Sequence, residues 1–337
     1  MGNLSSRDRS RLLVVVAALL WSTSGFYAKA PWFDDWPIET RGVALTFWRA
    51  VFAAITVLPF VRRPEFRAAM IPMSLAFVAM TYSFLVAMVR GSETTTIWLQ
   101  YVGPAWVAVA GWMGLGDRPR RSDWVMVGLS LIGISVIVLM EARVTHESLW
   151  TGPVGLALFS GLMYAVVLLS IRHLRGVDVA WIGLINHVVS IVCLWPLVIG
   201  KTPLPHGEQW IALFCLGAVQ LAIPYMIFAW AVREVESNEA SLITLLEPIA
   251  VPVWTFLAWR NYATYQYPRW WTLVGAALIA SGFIWRYGLA RRAKQIARIP
   301  KEDSATTDSS NRGQDRLGAG RSQGETDPEQ EDSSGQN

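Results

Sequence analysis

Apolar runs about 20 residues long, parted by short polar connections, set the pattern of the chain as far as residue 289. An α-helix of about that length crosses the hydrocarbon core of a bilayer. Ten runs fit, at about 11–30, 39–61, 68–89, 93–115, 122–141, 151–171, 178–199, 209–232, 238–259 and 269–289. The expected fold class is an all-α integral membrane protein with ten transmembrane helices. Residues 290–337 break the pattern. They start basic, at Arg291, Arg292, Lys294 and Arg298, and continue rich in Ser, Gly, Asp and Glu with no apolar run. Such a segment buries too little to fold and is expected to be a disordered tail, its basic start lying at anionic headgroups.

Polar residues inside the runs carry the chemistry. Glu247 falls near the middle of the ninth run, with Pro248 directly after it. A carboxylate at the bilayer midplane costs roughly 2.5–3.5 kcal/mol on insertion scales. Pro248 has no N–H, so the carbonyl of Thr244, one turn earlier, loses its helical partner. Broken backbone at that depth persists only where protein buries it or it lines a wet cavity. On the functional reading this helix lines a pathway. On the plain reading Glu247 pairs with a buried cation and holds the bundle together.

The runs also repeat. Gly103-Pro104-Ala105-Trp106-Val107 in the fourth lies opposite Glu247-Pro248-Ile249-Ala250-Val251 in the ninth, 144 residues on. Phe84 and Ala87 meet Phe228 and Ala231 at the same offset. Gly128, Leu131 and Ile132 meet Gly275, Leu278 and Ile279 at 147, and Leu19-Leu20-Trp21 meets Leu162-Met163-Tyr164 at 143. The chain then divides into a short N-terminus (1–10), two five-helix repeats (11–145 and 146–289) and the tail (290–337). An odd number of spans per repeat inserts the second repeat upside down, the arrangement of secondary transporters with a site between the repeats. Pro104 frees the carbonyl of Gln100 as Pro248 frees that of Thr244, so both breaks pair a polar side chain with an unpaired carbonyl. The plain alternative is two kinks whose carbonyls neighbouring helices satisfy.

Charge orients the spans. Connections on one side hold 12 Arg residues (7, 9, 11, 62, 63, 67, 118, 120, 121, 172, 175 and 233). Those on the other hold Arg41, Arg90, Arg143, Lys201, Arg260 and Arg269. The positive-inside rule puts both termini in the cytoplasm; the plasma (inner) membrane is the expected location. Many of the 18 Trp, including Trp32, Trp36, Trp124, Trp150, Trp181, Trp210 and Trp270, fall at run ends, as an interfacial belt requires. Cys193 and Cys215 lie inside apolar runs, without disulfide or metal spacing. The net charge of +4 reads as topology and not as a nucleic-acid footprint, because the cations sit in short loops. Met1-Gly2-Asn3-Leu4-Ser5-Ser6 fits an acylation pattern, and Ala28-Lys29-Ala30 imitates a cleavage site. The repeat needs the first helix, which is read as a retained span.

The residues resemble those of the EamA-like branch of the drug/metabolite transporter superfamily. The matching pieces are Leu20-Trp21-Ser22 with Lys29, Phe47-Trp48-Arg49 with Ala53, Phe228 with Ala231, Leu246-Glu247-Pro248, and Gly275 with Leu278-Ile279. The resemblance covers about residues 11–289; the polar tail and the Trp content depart from it. It implies two five-span repeats around a central cavity lined mainly by spans one, three, four, six, eight and nine. It also implies transport of small metabolites, often export of amino acids or related compounds. On that implication Tyr82, Tyr164 and Tyr225, on spans three, six and eight, face the cavity.

Other candidates come from the residues themselves. Trp98 and Tyr101 are three apart on the fourth run and share a helix face, with Gln100 on a neighbouring face. An aromatic wall with few polar points suits amphipathic or aromatic metabolites and cations. Trp21 and Ser22, with Thr23 and Ser24 after them, line the path or hydrogen-bond across helices. Arg49, near the middle of span two, either pairs with Glu247 or holds a substrate carboxylate. The resemblance itself favours a structural role for it. His187 beside Asn186 reads as packing, and Lys29 as a snorkelling cation.

The leading function class is a secondary transporter of a small metabolite, an amino acid or related amphipathic compound, by alternating access. There is no Walker A motif for ATP drive, and Glu247 makes the proton a candidate coupling ion. No cofactor or metal is expected. A non-transporting sensor or assembly protein acting through the tail is the first alternative. A polytopic membrane enzyme is the second, disfavoured by four scattered His (146, 173, 187 and 206), no HExxH and short loops.

Overall fold

The computed structural model describes residues 5–115, 117–145, 152–262 and 265–288. The Met1–Leu4 part of the acylation pattern, the repeat boundary at 146, Trp150 and the expected tail lie outside the described residues. Among those described, secondary structure is entirely helical. The helices are α1 Ser6–Trp21, α2 Ser24–Ala28, α3 Ile38–Val57, α4 Met70–Arg90, α5 Glu93–Gln100, α6 Gly103–Trp112 and α7 Arg121–Thr145. They continue with α8 Pro153–Ile171, α9 Val179–Val198, α10 Glu208–Phe214, α11 Ile223–Ala231, α12 Ser237–Thr244, α13 Leu246–Trp259 and α14 Trp270–Phe283.

Local chemistry starts them. The Ser5 hydroxyl accepts from the Asp8 N–H at α1, and Ser92 accepts from Thr95 at α5, each filling a donor left open in the first turn. Pro153 opens α8, where a missing N–H does no harm. Gly176, at φ 85°, makes the turn between α8 and α9 that an L side chain resists.

Eight stretches among the described residues are long and apolar enough to cross a membrane: Ser6–Ala28, Ile38–Phe60, Met70–Arg90, Arg121–Val144, Pro153–Leu174, Val179–Val198, Glu208–Ala231 and Glu239–Trp259. The fourth and tenth runs take other forms. The fourth is two short helices, α5 and α6, and the tenth is α14 followed by a π-helical turn, Ile284–Gly288. Ile55, Leu139, Val192 and Leu257 are each more than half exposed. Apolar side chains outside as well as inside fit a bundle whose solvent is lipid.

Glycines set the closest helix contacts. A Cβ on Gly133 would lie 2.7 Å from the Gly275 carbonyl oxygen, and one on Gly275 would lie 2.7 Å from that of Gly133, so α7 and α14 meet backbone to backbone. Gly161 brings α8 onto the end of α5, where a Cβ would lie 2.8 Å from the Leu99 oxygen. Small residues at such crossings allow the van der Waals packing that associates helices in lipid.

Four details depart from the sequence pattern. The first run bends at Ser22 and Thr23, whose hydroxyls donate back to the Leu19 and Leu20 carbonyls, both at 2.7 Å. The eighth run widens into a π-helical stretch, Cys215–Ala222, just before Pro224, which lacks the N–H that the Gln220 carbonyl would take in an α-helix. Trp36 is 1% exposed and packs in the core with Phe33, so it is no belt residue; Trp124 and Trp270 are exposed. Lys29 does not snorkel. Its Nζ donates to the Val89 and Gly91 carbonyls at 3.2 and 2.6 Å, where α4 leaves them unpaired.

Candidate functional site

The fourth and ninth runs break at matching places. α5 ends at Gln100 and α12 ends at Thr244, 144 residues apart. Pro104 lies in the first turn of α6 and Pro248 in that of α13, so neither can return a hydrogen bond to the carbonyl four residues before it. The two carbonyls are covered differently. Gly161 of α8 packs against Gln100, whose carbonyl oxygen would lie 3.1 Å from a Cβ placed there. The Gln100 side chain donates to the Ser160 hydroxyl at 2.7 Å, and Ser160 donates to the Met80 carbonyl at 3.1 Å. The Thr244 carbonyl takes the hydroxyl of Tyr101 at 2.9 Å.

Tyr101 sits in the break of the fourth run, and its hydroxyl also lies 2.6 Å from Oε2 of Glu247. A phenol has one hydrogen to donate. With Glu247 ionised, that hydrogen is contested by the carboxylate and the Thr244 carbonyl. With Glu247 protonated, its O–H donates to Tyr101, which donates to Thr244, and both bonds are made.

Five polar groups from five runs gather around this knot. Arg49 of α3 is within electrostatic range of Tyr225 and Glu247, and Tyr101 within range of Tyr164 and Tyr225. Of these, only Tyr101 and Glu247 share a hydrogen bond. Arg49 is 6% exposed, and its Nε has no partner. Among the described residues its guanidinium has no carboxylate within 4 Å, so it does not pair with Glu247. Tyr225 is 42% exposed although it lies against Trp21, with ring centroids 5.0 Å apart. Phe228, one turn on from Tyr225 in α11, also packs on Trp21, with centroids 5.2 Å apart.

Span eight supports this group from behind. A Cβ on Gly217 would lie 2.7 Å from the Arg49 carbonyl oxygen, so the π-helical stretch rests on the backbone of α3. Gln220 donates to the Trp21 carbonyl at 2.9 Å. Among the described residues its Oε1 and the Trp21 indole N–H have no hydrogen-bond partner.

Glu247, Thr244, Tyr101, Tyr164, Tyr225, Trp21 and Arg49 thus come together. Others go elsewhere. Trp98 is 5% exposed in the main core cluster, and Tyr82 packs against that cluster. Ser22 accepts from the Trp254 indole at 2.8 Å, tying span one to span nine. His187 is buried edge-on to Phe77, while its neighbour Asn186 accepts from Ser74 at 2.8 Å. Sequence reasoning missed Gln220, Ser160 and Trp254. An amide in the middle of an apolar run was the available signal for Gln220; the other two have meaning only through their partners.

The ends of the bundle are held by polar contacts. Where α1 begins, Arg7 and Arg11 pair with Glu239 of α12 at 3.2 and 2.7 Å, and Ser10 donates to Glu234 at 3.2 Å. Arg286 pairs with Asp123. At the other end Gln209 donates to the Trp32 carbonyl and to Asp35, and the Trp259 indole donates to the Phe26 carbonyl at 2.8 Å.

A model of the EamA-like transporter family matches the chain twice, at residues 9–139 and 152–287. An uncharacterised transporter of Archaeoglobus fulgidus is 24% identical over 280 residues, covering 81% of this chain and 95% of its own. One from Synechocystis sp. is 25% identical over 178 residues, about half of each chain. A solved crystal structure, 19% identical, covers 85% of this chain and 99% of its own at a TM-score of 0.54 and so shares the fold.

Proposed function

The chain belongs to the EamA-like transporter family, and from that premise we propose that it is a secondary transporter working by alternating access between two inverted five-span repeats. The repeats make ten spans. Span four is the broken pair α5 and α6, and span ten is α14 with its π-helical turn. Two separate family matches and two helix breaks 144 residues apart support this division. The cargo is a small metabolite, the membrane is the plasma membrane, and the Arg-rich end holding the start of α1 faces the cytoplasm.

The observation that carries the reading is the hydrogen bond between Tyr101 and Glu247. It joins the break of one repeat to the break of the other at mid-span, where transporters of this architecture place their sites. Glu247 is the proton-bearing group. Protonated, it completes the chain through Tyr101 to Thr244. Ionised, it competes with the Thr244 carbonyl and loosens the joint between repeats. A proton taken from one side thereby favours one packing of the repeats, and its release favours another.

Comparing intracellular and extracellular metabolite pools with and without the protein tests transport. One pool should shift with the wild type and not with Glu247→Ala. Unchanged pools would sink the reading. Removing residues 295–337 separates transport from signalling through the tail: the pool shift should survive the deletion.

A further inference from the structure

The residues of this same site also bear on the charge of its cargo, a property that rests on the protein being a transporter. Arg49 is the decisive group. It stands near the middle of α3, is 6% exposed, and has no carboxylate within 4 Å and no hydrogen bond from its guanidinium to any described residue. An arginine at membrane depth persists when an anion or carbonyls meet it. Elsewhere among the described residues most buried charges have such partners: Lys29 has two carbonyls, Glu239 two arginines, Glu141 has Arg269 at 2.9 Å, and Asp123 has Arg286; the Glu93 carboxyl, 1% exposed, is within electrostatic range of Lys29, and its Oε1 has no hydrogen bond among them.

The charged or titratable groups that face Arg49 are Glu247 on α13, Tyr225 on α11 and His187 on α9. Glu247 is the one acid among them, and it is engaged by Tyr101 at 2.6 Å. Two acceptors sharing one phenolic hydrogen are both satisfied only if Glu247 brings a hydrogen of its own. With Glu247 protonated, Arg49 is the charge of this cluster that lacks a counter-ion among the described residues.

We infer that the site takes an organic monocarboxylate with an apolar or aromatic body. Its carboxylate docks on the Arg49 guanidinium, whose fork of N–H donors matches two oxygens at once. Its body lies on the aromatic wall of Trp21, Tyr225 and Phe228. The Trp21 indole N–H and Gln220 Oε1, both unpartnered, stand beside that wall and suit a polar substituent on the body. A zwitterion would need a free carboxylate for its ammonium group, and Glu247 is already committed.

The test uses the purified full-length chain and commercial probes that differ in charge on one scaffold. Phenylacetate and indole-3-acetate are the acids, their amides the neutral isosteres, phenylalanine and tryptophan the zwitterions, and tryptamine the cation. Binding is read by ligand-induced thermal stabilisation, and transport by uptake of the labelled acids into proteoliposomes. The acids should stabilise the protein at concentrations about tenfold or more below the amides and zwitterions, and Arg49→Lys should weaken the acids more than the amides and so narrow that gap. Equal binding of acids and amides, preference for the zwitterions or the amine, or no response to either acid overturns the proposal, even if Arg49→Lys fails to fold, because that comparison uses the wild type alone. Acid binding without uptake keeps the anion site and sinks the transporter reading. Uptake of neutral or zwitterionic probes in preference to acids keeps the transporter and sinks the anion site.

Discussion

The hydroxyl of Tyr101, in the interruption of the fourth run, lies 2.6 Å from the carboxyl of Glu247, in the first turn after the interruption of the ninth, the breaks being 144 residues apart. Each interruption comes from a proline that cannot return a hydrogen bond, and one side chain closes the gap left by the other. The joint binds two breaks that would each be unstable in lipid alone.

Tyr101→Phe keeps the ring and removes the hydrogen. The Thr244 carbonyl then loses its donor and Glu247 its partner. Leaving such a group bare costs about 1–3 kcal/mol, so turnover should fall about tenfold or more with folding retained. Initial uptake rates beside a melting curve decide this. Because both residues act through one bond, Tyr101→Phe combined with Glu247→Gln should do little more harm than either alone.

Gly161→Ala should destabilise the bundle. The added methyl would lie 2.8 Å from the Leu99 oxygen and 3.1 Å from the Gln100 oxygen, both backbone atoms that cannot turn aside. Overpacking of that kind costs about 1–3 kcal/mol, seen as a lower melting temperature in detergent. An unchanged melting temperature would mean α5 and α8 do not meet there.

Asp178 clips the connection after span two to the start of α9. Burial works against its ionisation, but N–H groups of Arg62, Arg63 and Ala180 outweigh it and hold its pKa below the usual carboxylate value. A depressed folded pKa stabilises the protein fully above the unfolded value of about 3.9 and loses that contribution as pH falls through the folded value. Asp178→Asn should therefore melt lower than wild type near neutral pH. The difference should close in acid below about pH 4.

Glu239→Gln should loosen the end where α1 begins, since it weakens the pairs with Arg7 and Arg11. Ser10, 1% exposed behind those pairs, is the reporter. Ser10→Cys should react faster with a membrane-impermeant maleimide when Glu239→Gln is also present. An equal rate would show that these pairs do not hold that end shut.

Much of this site was legible because it violates the apolar pattern. Glu247, Pro248, Pro104 and Arg49 stand out in runs that otherwise suit lipid, and the nearly constant offset already linked the two breaks in sequence. Which residues touch across helices was not legible. Tyr101 and Trp98 share a helix face in sequence, yet the chain turns at Tyr101 and sends it to Glu247 while Trp98 enters the core. Trp36 sits at a run end but folds inward on Phe33. The widened turn of span eight follows from Pro224, though Gln220 reaching Trp21 depends on a neighbour that no local pattern names. Arg49 was read as pairing with Glu247 or holding a substrate carboxylate; the phenol of Tyr101 takes the Glu247 carboxyl, which removes the first of the two.

The central claim is that Glu247 bears the proton that drives alternating access. Proteoliposomes holding the purified full-length chain, given a labelled substrate and an imposed proton gradient, test it most directly. Wild type should accumulate substrate against its gradient. Glu247→Gln should still exchange substrate at equal concentrations but no longer accumulate it. Accumulation by Glu247→Gln to the wild-type level would contradict the claim.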